Sequence, residues 1–450
     1  MNPLLRSLPV LLLSALPALA QNPKLKNDLK TKEAAAKKDP EQLLAVAKWA
    51  SENSLADDAK RIYQAILKIK PDHQGANEAL GNELVEGKWL PAKEAETLRK
   101  KAQLAENAAK GLVEVGGVWV DKDKVDDAKR GIFWFDKEVV TKDELVALQS
   151  GKVRHPDTGE IIEAKYLEKA KADYYPIGND KWVDLKEADT WHSDLKRPWL
   201  IRTNKGLFIS TLGRAKIQEL GVLIDRAVDR VAPLFGNKVL TGAHRPTVIV
   251  AATQSEYTDF TTTFGDGTDA CGTFLMREEA HMKIAHVGEV RPAICFNEKS
   301  WGPNYIRHCA AISYAHGAAE EAGIDLPPWF LHGIGSCAAR FIDDAEGGGF
   351  GKAFAKRGPV KVKAFFSGFE LSGDVDPNDM QYNMFVAGLL LTYATKGGDA
   401  KVTETMQGIT ACLAGTAKGG FDKLVSKLQK ELIDAEAKIN EYLQKLMAKA

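Results

Sequence analysis

The chain has 450 residues, 44% of them hydrophobic, with 61 basic side chains balanced by 61 acidic ones. That length accommodates two or three domains, and the even charge balance excludes a global electrostatic drive toward nucleic acid or anionic membrane. Beyond the N-terminus no stretch reaches the roughly 18 continuous apolar residues of a membrane span, so none is expected in the mature chain.

At the N-terminus, Arg6 precedes an apolar run from Leu8 to Leu19, and Ala18-Leu19-Ala20 offers a cleavage site before Gln21. Residues 1–20 therefore read as a secretory signal. The run is short for an anchor, and no cysteine adjoins the cleavage site to carry a lipid. An exported protein, periplasmic or extracellular, is expected. A flexible charged leader at 21–38 then leads into helices at 39–84. Leu43, Val46, Ala47 and Ala50 make one apolar stripe and Ala59, Tyr63 and Ile66 another, with Pro71 ending the second helix. This hairpin resembles a tetratricopeptide repeat, with Ala47 and Ala59 at close helix contacts and Leu80-Gly81 reopening the pattern. One repeat cannot bury its apolar side alone, so it is expected to dock on the following segment or on a partner.

Residues 85–196 read as a linker module of strand–turn elements and short helices. Gly87-Lys88-Trp89-Leu90, Gly117-Val118-Trp119-Val120 and Asp180-Lys181-Trp182-Val183 each set tryptophan beside a β-prone residue after a turn former. Asp157-Thr158-Gly159-Glu160 adds a tight turn between strands. Trp89, Trp119 and Trp182 are expected as structural aromatics seating the strands against neighbouring helices. Glycan or peptide binding is the alternative use.

From 197 to 450 the pattern is that of a compact domain. Leu200-Ile201-Arg202-Thr203, Leu207-Phe208-Ile209-Ser210 and Thr247 to Ala252 read as strands. Between the last two, apolar positions from Ile217 to Leu234 mark an amphipathic helix. Further strands are expected between Cys271 and Phe296, followed by helices at 303–320, 328–343, 382–394 and from Phe421 onward. Strands first and helices later give an α+β class, with a small mixed sheet followed by helices. Gly347-Gly348-Gly349-Phe350-Gly351 lacks the terminal Lys-Ser/Thr of a phosphate loop.

Within the helical part stands Arg307-His308-Cys309-Ala310-Ala311-Ile312-Ser313-Tyr314-Ala315-His316, followed by Leu326-Pro327-Pro328-Trp329-Phe330-Leu331-His332-Gly333. This combination resembles a degenerate gluzincin, a thermolysin-like peptidase domain, over roughly 250 residues. In that family two histidines four apart on a helix and a distal carboxylate hold zinc, and a glutamate after the first histidine is the general base. With His308 in the first position, Cys309 replaces the base and Ile312 the second ligand. With His316 in the second position, Ile312 replaces the first ligand and Ser313 the base. His332 falls at the distal ligand, and Trp329 is a structural aromatic. His308 and His316 are about 80° apart around a regular helix and about 12 Å apart along it, so one metal bridging both is not expected. Either with His332, and with Cys309 or Cys337, would suit structural zinc better than open hydrolytic zinc.

The five cysteines all lie in the C-terminal half, and pairs Cys271–Cys295 and Cys309–Cys337 are expected in an oxidising compartment, with independent buried thiols as the alternative. The resulting expectation is an exported, non-catalytic peptidase-like protein that needs no cofactor. It would act as a scaffold or recognition module for an extracytoplasmic protein or peptide, without nucleic acid. A hydrolase with a rearranged metal or Cys/His site and a purely structural assembly protein are the other readings.

Overall fold

The computed structural model describes residues 23–178, 181–264, 273–275, 282–284, 287–299, 301–370 and 375–450. The segment at 1–20 expected to be a secretory signal and Cys271 lie outside them. The chain divides into two compact units, with the boundary between Leu112 and Val113. Among the described residues no helix is long and apolar enough to cross a membrane.

The first unit opens with four helices, α1 (Pro23–Ala35), α2 (Pro40–Glu52), α3 (Ala56–Ile69) and α4 (Gln74–Ala79). Asp39 caps α2 by accepting from the Glu41 and Gln42 amides, and Pro40 sits at the first turn where its missing N–H costs nothing. The α2–α3 hairpin meets along Ala47 and Ala59, both buried, as the apolar stripes predict. The segment expected to be a flexible leader is instead helical. Leu29 and Ala36 are buried with Leu43, Ile62 and Ile66, and Arg61 donates to both carboxylate oxygens of Glu33 at 2.8 Å. The preceding segment thus covers apolar surface that the hairpin could not bury alone.

Five β-hairpin–helix modules follow in tandem. They are β1 (Asn82–Val85), β2 (Lys88–Pro91) and α5 (Ala92–Ala109); β3 (Leu112–Val115), β4 (Val118–Asp121) and α6 (Val125–Lys129); and β5 (Phe133–Phe135), β6 (Glu138–Val140) and α7 (Lys142–Gln149). Then come β7 (Val153–Arg154), β8 (Ile161–Ile162) and α8 (Leu167–Lys171), and β9 (Tyr174–Ile177), β10 (Lys181–Asp184) and α9 (Leu185–His192). From β3 the hairpins recur about every 20 residues, a repeat period. Two-residue turns with left-handed backbone at Glu86-Gly87 and Gly116-Gly117 match the twist of the paired strands. Trp89, Trp119 and Trp182 sit half-buried on the second strand of their hairpins, and Trp182 stacks on His155.

The modules after Val113 belong to the same unit as the C-terminal domain, although the composition shift suggests a boundary at 196. Arg214 holds Asp157 through Nη2 to Oδ1 at 2.6 Å and Nε to Oδ2 at 2.8 Å, and Tyr175, Ile177, Val183 and Ala188 join the main core.

That core is built on a five-stranded mixed sheet ordered β11 (Trp199–Arg202), β12 (Leu207–Ser210), β13 (Thr247–Ala251), β17 (Ala293–Phe296) and β14 (Thr273–Leu275). The two central junctions, β12–β13 and β13–β17, are parallel; the outer two are antiparallel. Between β12 and β13 runs α10 (Arg214–Val231), whose buried face is the expected Ile217-Leu220-Ile224-Val228 stripe. After β13 come α11 (Gln254–Phe264) and a hairpin of β15 (Met282–Ile284) with β16 (Gly288–Val290). Every residue of β13 and β17 is buried, as in a central parallel strand covered on both faces.

The helical part comprises α12 (Gly302–Glu320), α13 (Pro328–Ala339), α14 (Asp344–Phe354), α15 (Val362–Gly368), α16 (Pro377–Lys396), α17 (Ala400–Leu413), α18 (Phe421–Asp434) and α19 (Glu436–Lys449). The class is α+β. The glycine run lies inside α14, where a Cβ on Gly348 would come within 2.1 Å of the Leu446 carbonyl oxygen. Its glycines let α14 and α19 approach backbone to backbone.

Candidate functional site

Two helices carry the histidines that the sequence singles out. α12 begins with Pro303 in its first turn and is buried on almost every face, so alanines and glycine fill the positions where larger side chains would clash. α13 begins at Pro328, whose fixed φ suits the first helical position. A Cβ on Gly335 would lie 2.7 Å from the His308 ring, so this glycine sets how closely α13 approaches the imidazole.

The approach brings His308 and His332 together. His308 Nε2 lies 3.1 Å from His332 Nδ1, with ring centroids 5.3 Å apart. His308 is fully buried and His332 partly so. Beneath them sits a residue that sequence reasoning missed. Arg340 closes α13, is fully buried, and places Nη1 3.1 Å from His308 Nδ1 and 3.3 Å from Ser336 Oγ. Its Nη2 donates to Gln381 Oε1 on α16 at 2.8 Å. His332, Ser336 and Arg340 step by four along α13, the spacing that puts residues on one helix face. That periodicity was the available signal.

The chain of contacts fixes the protons. A guanidinium only donates, so His308 Nδ1 accepts from Arg340 and the neutral His308 ring carries its proton on Nε2. That N–H donates to His332 Nδ1, leaving the His332 proton on Nε2. Burial, then the Arg340 charge, then His332 depress His308 well below the ordinary histidine value. Burial and then Arg340 push His332 down to about 4. Both rings are therefore neutral at neutral pH.

This donor set does not fit zinc. A catalytic zinc takes three protein ligands and a structural one four, drawn from imidazole, thiolate and carboxylate. Here only two imidazoles converge, through His308 Nε2 and His332 Nδ1, and a fixed cation, the Arg340 guanidinium, lies 3.1 Å from the other nitrogen of the His308 ring, Nδ1. Among the described residues no three His, Cys, Asp or Glu side chains group closely enough to hold a metal ion.

The other candidates are dispersed. Ile312 is fully buried in the apolar core. The Cys309 thiol donates to the Ile294 carbonyl on β17 at 3.4 Å, and Ser313 Oγ accepts the Thr247 amide of β13 at 3.0 Å. His316 turns to Arg291 and lies 3.6 Å from Glu320 across one helical turn. Burial first, then Arg291, lower His316 to about 4. Trp329 packs edge-on against Phe330 and Phe366.

The expected Cys309–Cys337 disulfide is not formed. Cys337 points to the Gly388 carbonyl and Thr392 on α16, away from the β17 carbonyl that holds Cys309. Burial pushes the Cys337 thiol up to about 11, the opposite of an activated nucleophile. Cys295 and Cys412 are also free and buried; Cys271, the partner expected for Cys295, lies outside the described residues.

No protein-family model, no curated protein and no solved structure matches the chain.

Proposed function

We propose that this protein is an exported, non-catalytic, peptidase-like scaffold that recognises an extracytoplasmic protein or peptide. The observation that carries the reading is the Arg340 guanidinium against the His308–His332 pair. It puts a permanent positive charge inside the protein beside a ring that the resemblance would make a zinc ligand, and it ties the two helices to α16 through Gln381. A cation built into the chain can hold the helices together, but it cannot activate a water or polarise a scissile carbonyl as an open metal site does. The two cysteines near the pair give no support to a thiol enzyme, since Cys309 is buried against a strand carbonyl and Cys337 is held protonated. Recognition of a protein or peptide is supported by the repeat-like hairpin of the first unit and by the large apolar side chains that unit exposes, Ile69 on α3, Leu84 on β1, and Leu98 and Leu104 on α5.

Elemental analysis of untagged mature protein purified without chelator, beside His332→Ala, tests the proposal when combined with hydrolysis of a mixed peptide library. The expected result is zinc far below one equivalent in both proteins and no hydrolysis. Near-stoichiometric zinc in the parent, lost with peptide hydrolysis in His332→Ala, would overturn it.

A further inference from the structure

Away from the histidine pair, the second unit holds a cavity of about 660 Å³, within the range of small-molecule sites. It lies between the hairpins around 134–159 and the segments 202–206 and 237–246. Tyr314 of α12 lines it six residues after His308, about 120° around the helix, so the two sites occupy different faces.

The charge on its wall is not balanced. Arg202 and Arg245 both hold the buried Glu144 carboxylate, at 2.7 Å and 2.8 Å, and both donate to the Val139 carbonyl. Arg154 adds a third guanidinium, 3.6 Å from Glu144 Oε1 and 3.2 Å from Glu138 Oε2. Its Nη2 is buried and has no hydrogen-bond partner among the described residues. Three guanidiniums thus share two carboxylates, one of them half-exposed, which leaves one positive charge over. The other acids on the wall are already committed, Asp157 to Arg214 and Asp229 to Lys205. Lys238 faces Glu321 at 3.6 Å. Lys137, exposed on the β5–β6 turn, has no ion pair among the described residues and brings a second uncompensated charge. Burial and then the neighbouring Arg245 lower Arg202 to about 10, the direction that crowded like charges produce and a bound anion relieves.

We propose that this cavity binds a small oxyanion, a phosphate- or carboxylate-bearing molecule, with Arg154 and Lys137 engaging the anionic group. The planar guanidinium suits either group through paired N–H donors. Val228, Val239, Leu240 and Tyr314 give the remainder of such a molecule an apolar wall. The proposal does not rest on the scaffold reading.

Isothermal titration of the mature protein in low-salt, phosphate-free buffer tests it, with inorganic phosphate and citrate as separate titrants against parent, Arg154→Gln and Lys137→Ala. At least one titrant is expected to saturate at one site, with affinity falling about tenfold or more in each variant, the loss typical of one charge-assisted hydrogen bond. Response to phosphate alone identifies a phosphate ligand, and response to citrate alone a carboxylate. Lys137→Ala alters an exposed turn residue, so it keeps the test valid if Arg154→Gln does not fold. No saturable binding of either anion to folded parent, or undiminished binding in Lys137→Ala, would overturn the proposal.

Discussion

Buried imidazoles next to a guanidinium give the stability of this protein a definite pH dependence. His332 titrates near 4 in the fold against an ordinary 6.5, so between those values the unfolded chain binds the extra proton. The stability is fully present above about pH 6.5 and is lost as pH falls toward 4. His244 works in the opposite sense, because Glu321 holds its value up and its contribution fades as pH rises through that folded value. Comparing the parent with His332→Gln isolates the first effect. Thermal melts between about pH 7 and pH 4.5 should show a smaller acid-induced fall in the variant. Arg340→Met should raise the His332 value above 4 in an NMR titration, without restoring 6.5, since burial is the larger cause of the depression and remains. An unchanged value would mean that the guanidinium does not act on the ring. The histidines and their spacing were legible in the sequence. Arg340 was not, because an arginine near a helix C-terminus ordinarily reads as a solvated end-of-helix charge.

Between elements, two contacts carry unusual weight. Glu144 belongs to a capping box, in which its side chain accepts the Thr141 amide while Thr141 Oγ1 accepts its own. The sequence rule for a capping box explains one of its partners, and only the tertiary fold brings Arg202 and Arg245 to the same carboxylate. Glu144→Gln should cost about 3–5 kcal/mol in urea unfolding, since it strands buried guanidiniums. The α14–α19 contact makes a paired prediction. Gly348→Ala forces a Cβ against the Leu446 carbonyl and should destabilise by about 3 kcal/mol. At its neighbour Gly349 a Cβ would meet nothing within 4 Å, so Gly349→Ala should stabilise by about 0.5–1 kcal/mol through helix propensity. Equal effects in denaturant titrations would show that packing does not distinguish the two positions.

At the scale of the whole molecule, the division at Leu112 and Val113 predicts that residues 113–450 fold alone, because the main core and the salt links of Asp157 and Glu144 all lie inside that unit. Cooperative thermal unfolding of that fragment by circular dichroism checks it; a gradual, non-cooperative loss of signal would refute it. The α+β class, the α2–α3 hairpin, the β12–α10–β13 progression and the α12 and α13 helices were all readable from the chain, because each is written as a local period of apolar residues. The α1 helix as part of the first core was not readable in this way. Of the hairpin–helix modules, the strand–turn elements around Trp89, Trp119 and Trp182 and the turn at 157–160 were readable, whereas their tandem recurrence through β5–β6 was not, because such short strands carry too few residues for a period to show. Three-dimensional packing alone sets His308 against His332 and sends His316, Cys309, Ser313 and Ile312 elsewhere. The reason is that helix rotation and separation are set by close-packing residues such as Gly335, whose effect depends on what lies opposite them in space.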